Sequence, residues 1–292
     1  MEGTKTMMLG FWLCLTAILL LGMSYFFFYQ AKGILRIKQL MEIKSTYATR
    51  TTGPKRMVVG GSDVLYSFDT DRVGRETSMP TVNFGVNVGL GMGFLLDMAR
   101  EQAESGDDIV LCLAYSLYYK PAYDVFAYEY YRMYDKRKLT RFTWKQQAYY
   151  FIGNVKLNMG YKQKQFDIAE SGAYINVSGA LLPDEKNKPL QFPAHFTKTE
   201  AVLALEAFCE ECKRKNIRVR ITYPSTLGFD IYHESAYLAE LTAYLHENYE
   251  VIGEPKNYFV PKTAIFNSVY HVNSIGQQER TERFIEELTE RK

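Results

Sequence analysis

From residue 57 onward, short apolar runs alternate with stretches of helical periodicity. "RMVVGG", "PTVNFGVN", "DDIVLCLAY", "IRVRITYP" and "YEVIG" have the length and apolar content of buried strands, and most end in Gly, Asn or Pro. Between and after them, "GLGMGFLLDMAREQAES", "KTEAVLALEAFCEECKRKN", "ESAYLAELTAYLHEN" and the closing "SIGQQERTERFIEELTERK" carry apolar residues at three- and four-residue spacing. Strands alternating with helices of this length predict a parallel sheet covered on both faces, a three-layer α/β fold.

Two regions break that rhythm. Between Tyr115 and about Thr197 the chain is rich in Tyr and Lys, as in "YSLYYKPAYDVFAYEYYRMYD". It reads as a partly helical insertion, first of all a cover packed at the sheet edge. Tyrosine's flat apolar face and polar tip also suit a sugar- or partner-binding surface. At the other end, "MMLGFWLCLTAILLLGMSYFFFY", Met7 to Tyr29, is an uncharged run of 23 residues, enough to cross a bilayer as a helix. It ends in aromatic residues rather than the small residues of a cleavage site, and so reads as an uncleaved anchor with an interfacial belt.

These features divide the chain into an anchor (1–29), a basic juxtamembrane helix and linker (30–56), and an α/β domain (57–292) with its insertion at about 115–197. Residues 30–56 hold Lys32, Arg36, Lys38, Lys44, Arg50, Lys55 and Arg56 against Glu42 alone, which reads as a solvated stalk. The basic flank after the anchor outweighs Lys5 and the terminal amine, so charge alone would place the large domain in the cytoplasm.

Composition narrows the field further. With 292 residues, 47% of them hydrophobic, the chain can bury a full core without metals or disulfides. A net charge of +2 gives no case for nucleic acid. Of four cysteines, only Cys209 and Cys212 form a Cys-x-x-Cys pair, with no second pair and no nearby His, so no metal site is expected.

The candidate chemistry lies at strand ends, where open parallel sheets bind ligands. Ser62 follows Gly60–Gly61 after the first strand, and the glycine-rich "NFGVNVGLGMG" follows the second. His271 sits in a loop before the last helix, whose start a Ser274/Gln277 capping box would set. A serine, a glycine turn and a histidine in this chain order suit a nucleophile, an oxyanion site and a base.

These blocks resemble the SGNH (GDSL-type) hydrolase superfamily, and within it the membrane-anchored branch that works beside membrane-bound O-acyltransferases on cell-surface polymers. "GGSDVLYSFD" is similar to the first family block, "NFGVNVGLG" to the second and "YHVNSIGQQERT" to the last. The resemblance implies a flavodoxin-like three-layer fold. It implies a serine esterase or acyltransferase acting, without a cofactor, on O-acyl groups of a surface polysaccharide through an acyl-serine intermediate. Ser62 would be the nucleophile and His271 the base. The oxyanion would be held by the backbone N–H groups of Ser62, Gly89 and Gly85, with Asn87 or Asn83 as side-chain donors. A membrane-bound O-acyltransferase or polysaccharide synthase would be the partner, and the domain would lie outside the cytoplasm.

The chain departs from the family pattern in two places. Where an aspartate usually precedes the histidine, it has Asn267 and Ser268, and the third-block asparagine is replaced in the "Ala114–Tyr115" stretch. Three readings follow: a Ser–His pair oriented by Asn267, an acid supplied by Asp63 or Asp69, or an accessory protein that keeps the fold, binds polymer or docks on the acyltransferase, and turns over slowly or not at all.

Overall fold

The computed structural model describes residues 2–160 and 166–290; residues 1, 161–165 and 291–292 lie outside the described residues. Two helices lead the chain, α1 (Glu2–Phe28) and α2 (Lys32–Arg50). The domain then runs β1 (Arg56–Gly60), α3 (Ser62–Ser67), α4 (Thr70–Thr77), β2 (Thr81–Gly85), α5 (Met92–Gln102) and β3 (Asp108–Cys112). The insertion contributes α6 (Val125–Tyr134) and α7 (Trp144–Gly160). Then follow α8 (Glu200–Arg214), β4 (Arg218–Thr222), α9 (Ala236–Asn248), β5 (Glu250–Ile252) and α10 (Ser274–Thr289).

The five strands form one parallel sheet in the order β2-β1-β3-β4-β5. This is the flavodoxin-like order, whose switch point falls between β1 and β3. Register aligns Gly60 with Gly85 on one side and with Cys112 on the other, so the first three strands end flush. Alternation along β1 feeds two cores: Met57 and Val59 face one layer with Leu95, Phe208 and Leu241, whereas Val58 faces the other with Phe68, Val73 and Phe284. The result is a three-layer α/β fold with helices on both faces of a parallel sheet.

The stalk reading of residues 30–56 is corrected. Helix α2 lies on the domain, burying Ile34, Ile37, Leu40 and Ala48. Lys44 is fully buried with them, its Nζ donating to the carbonyls of Asn83 (2.5 Å) and Gly172 (2.6 Å). Burial, with Arg36 adding to it, holds this ammonium well below the ordinary lysine range. Counted as a charge in the sequence, Lys44 hides the fact that its stem and head belong to the docked face.

Helix α1 is long and apolar enough to span a membrane. Its 27 residues extend about 40 Å. Its end is fastened to the insertion by Arg132, which donates to the carbonyls of Tyr25 (3.0 Å), Phe26 (2.7 Å) and Tyr29 (2.7 Å) while paired with Glu129. The insertion is chiefly a cover: Tyr115, Tyr118, Tyr128, Tyr131, Tyr150 and Tyr174 all bury their rings.

Candidate active site

Strand β1 stops because two glycines allow the chain to turn in a crowded place. A Cβ on Gly60 would collide with the Cys112 carbonyl and the Val64 side chain, and one on Gly61 with Val88 and the Asp63 carboxylate. Neither glycine has positive φ, so close approach is what requires them. The turn delivers Ser62 as the first residue of α3, half-buried and open to solvent at the carboxyl ends of the strands.

His271 reaches the same place from the far end of the chain. It lies on a short antiparallel ladder in which Ser268 pairs with His271 and Ile265 with Val272. Its Nε2 is 2.8 Å from Ser62 Oγ and its Nδ1 is 2.8 Å from Asn267 Oδ1. The amide oxygen accepts from Nδ1–H, which leaves Nε2 as the acceptor of the serine proton. The Tyr66 ring stacks on the imidazole at 4.2 Å and 14°. Tyr66 in turn packs against Phe166, Tyr174 and Phe266. Gln277 donates to the carbonyls of Tyr66 (3.0 Å) and Tyr174 (2.7 Å), tying α10 to α3 beneath the ring.

That use of Gln277 corrects the capping box. Helix α10 is capped one residue earlier, by Asn273, whose Oδ1 accepts from Ile275 and Gly276. Ser274 Oγ donates to the Val177 carbonyl instead.

The oxyanion set is also redrawn. Gly85 N–H donates to Asn83 Oδ1 at 3.0 Å, inside the buried end of β2, and Asn83 Nδ2 donates to the Val64 carbonyl at 2.9 Å. Both residues are consumed in holding β2 against α3. Gly89 N–H donates to Asn87 Oδ1 at 2.8 Å in a half-exposed turn. The glycine turn does abut the elbow through Val88, the residue that Gly61 must accommodate. Of the other expected donors, the Ser62 N–H stands at the head of α3, and Asn87 lies on the adjoining turn with its Oδ1 taken by the Gly89 N–H.

Neither nearby aspartate replaces the missing acid. Asp69 caps α4 by accepting from Arg72 N–H at 3.0 Å. Asp63 points into the core, its Oδ2 4.0 Å from Cys112 Sγ, and burial pushes its carboxyl up to about 7 against the pull of backbone N–H groups around the turn. Of the cysteine pair, Cys212 is buried in α8 and Cys209 half-buried, consistent with packing. An open groove of about 890 Å³ beside α2, with Arg36, Tyr47 and Glu170 in its walls, contains none of the candidate residues. Tyr66 drew no attention in the sequence and Gln277 read as a cap; nothing in the linear pattern marks either as a support of the imidazole.

The fold and site define a class, a three-layer α/β protein with a Ser–His–Asn array at the carboxyl ends of a flavodoxin-order parallel sheet. No protein-family model and no curated protein matches the chain. A solved chain from Streptococcus pneumonia, provisionally described as a platelet activating factor, is similar over 86% of this chain and 93% of its own, at 14% identity and a TM-score of 0.43.

Proposed function

We propose that the protein is a membrane-anchored, SGNH-like serine esterase or acyltransferase. The observation that carries this reading is the unbroken hydrogen-bond array from Ser62 through His271 to Asn267. In the first half-reaction Ser62 Oγ attacks the acyl carbonyl as its proton passes to His271 Nε2. The carbonyl oxygen takes up negative charge facing the Ser62 N–H and the Asn87 amide. His271 then protonates the departing alkoxide, leaving an acyl ester on Ser62. In the second half-reaction water, or an acceptor hydroxyl, attacks that ester as its proton passes to His271, and His271 returns the proton to Ser62 Oγ as the acyl product leaves.

Asn267 orients the imidazole but supplies no charge to the imidazolium, so turnover is slow beside that of a full triad. That substitution also favours a second reading, an accessory module in which Ser62 is dispensable. The proposed substrate is an O-acylated, chiefly O-acetylated, surface polysaccharide. The proposed partner is a membrane-bound O-acyltransferase or polysaccharide synthase, with the domain outside the cytoplasm.

The test is hydrolysis of a chromogenic acetyl ester by the full chain in detergent. Ser62→Ala and His271→Ala each lower the rate by about a hundredfold or more. Parent and variants with equal rates would end the enzymatic reading in favour of the accessory one.

A further inference from the structure

Helix α7 presents an apolar face that the domain does not cover. Trp144 and Tyr149 are each 75% exposed, Ile152 57% and Met159 84%. At 100° per residue, these four residues, together with Lys145 and Lys156, occupy one arc of about 140°. On the opposite side of the same helix Tyr150 and Asn154 are buried against α6, where Asn154 donates to the Val125 carbonyl, and Leu157 beside them is 46% exposed.

Between the two sides, α7 touches α1. The Phe151 ring meets the Tyr25 ring edge-on at 5.2 Å, and Asn158 Nδ2 donates to Tyr25 Oη at 2.6 Å. Tyr25 lies four residues, about 6 Å of helix rise, inside the end of the uncharged segment at Tyr29. A helix in contact with Tyr25 therefore lies at the depth where amphipathic helices rest among headgroups and the first acyl carbons, about 5–10 Å in. Neighbouring groups fit that level. Lys136 sits 4.9 Å over the ring of Phe27, itself 53% exposed on α1. Arg132 and Glu129, both buried, hold the end of α1 to the helix that packs on α7.

We propose that α7 is an interfacial helix that seats the domain on the bilayer, with Trp144, Tyr149, Ile152 and Met159 dipping into the headgroup–acyl boundary and Lys145 and Lys156 meeting anionic headgroups. The occupant is lipid because the face is continuous with the outlet of α1 and pairs Trp, Tyr and Lys as interfacial surfaces do. The membrane is then held at two points, a span and a helix lying flat beside it, which removes the freedom to swivel about a single anchor. This inference rests on α1 spanning the bilayer and is independent of the chemistry at Ser62.

The chain holds two tryptophans, Trp12 in α1 and Trp144 in α7, which makes each separately readable. The full chain is reconstituted into vesicles of equal parts phosphatidylcholine and phosphatidylglycerol, with bromine on the acyl chains either near the headgroup or near the chain ends. In Trp12→Phe, the remaining Trp144 emits to the blue of a water-exposed indole and loses most of its emission to headgroup-proximal bromine, less to chain-end bromine. In Trp144→Phe, the remaining Trp12 is quenched within the acyl region. Quenching of Trp12 without quenching of Trp144 overturns the interfacial helix, leaves the span intact and gives the α7 face to a protein partner. Absence of both overturns the span and the inference with it.

Discussion

Asn267 occupies the position from which a carboxylate would normally steady the imidazolium, and its Oδ1 already accepts from His271 Nδ1. Restoring the charge is therefore a one-atom change in a preformed geometry. Asn267→Asp is expected to raise kcat for ester hydrolysis by at least about tenfold, since loss of that carboxylate costs a triad up to about four orders of magnitude. It also moves the acidic edge of the pH–rate profile upward, because an adjacent carboxylate favours the charged imidazole. An unchanged rate and profile would mean that His271 is not the working base.

Asp63 permits a second expectation at this scale. Burial raises its carboxyl to about 7, so the folded protein favours the neutral acid more than the unfolded chain does. Its contribution is fully present below the unfolded value near 4 and is lost as pH rises through 7. Between pH 5 and 8 this amounts to about 3 kcal/mol of lost stability. Asp63→Asn removes that decline, as read from urea unfolding at several pH values. A variant that keeps the parent slope shows that another group carries it.

Among the elements, the junction of α1 with α6 is where a single change does most harm. Arg132 is 1% exposed and Glu129 0% exposed. Arg132→Met leaves the carboxylate buried without its partner and the last carbonyls of α1 without their donor. The expected cost is about 3–5 kcal/mol in the unfolding of the detergent-solubilised chain. Glu129→Gln combined with Arg132→Met recovers much of it, because a neutral amide tolerates burial that an unpaired charge does not. A single variant within about 1 kcal/mol of the parent would contradict this coupling.

The strands and helices that position Ser62 were legible because their periodicity is strong and their ends carry Gly, Asn or Pro. Ser62 and His271 drew attention for a different reason: one follows a glycine pair at a strand end and the other lies in a loop before the last helix, whereas Asn267 came only from the family resemblance. What escaped was whatever depends on a polar residue being used as a core residue. Lys44 inside a docked helix looks like a stalk charge in a linear pattern, Gln277 turned inward beneath Tyr66 looks like a cap, and Asn83 stitching β2 to α3 looks like a free donor. The Gly85 and Gly89 N–H groups looked available for the same reason, since nothing in sequence reveals that an asparagine two residues earlier claims each of them.

In the molecule as a whole, a parallel sheet of flavodoxin order brings the first strand end and the last loop together, 209 residues apart in the chain. The apolar helix α1, the docked α2 and the insertion form a continuous assembly on one domain, joined by Arg132 at the end of α1 and by Lys44 within α2. The central claim is that Ser62 is a nucleophile activated by His271. The most direct measurement is mass-spectrometric mapping of the full chain after brief treatment with a fluorophosphonate, which bonds covalently to an activated serine far faster than to an ordinary hydroxyl. The expected result is a single adduct on Ser62 that is absent from folded His271→Ala. A folded parent chain that takes up no adduct, or takes it up on a serine other than Ser62, would contradict the account.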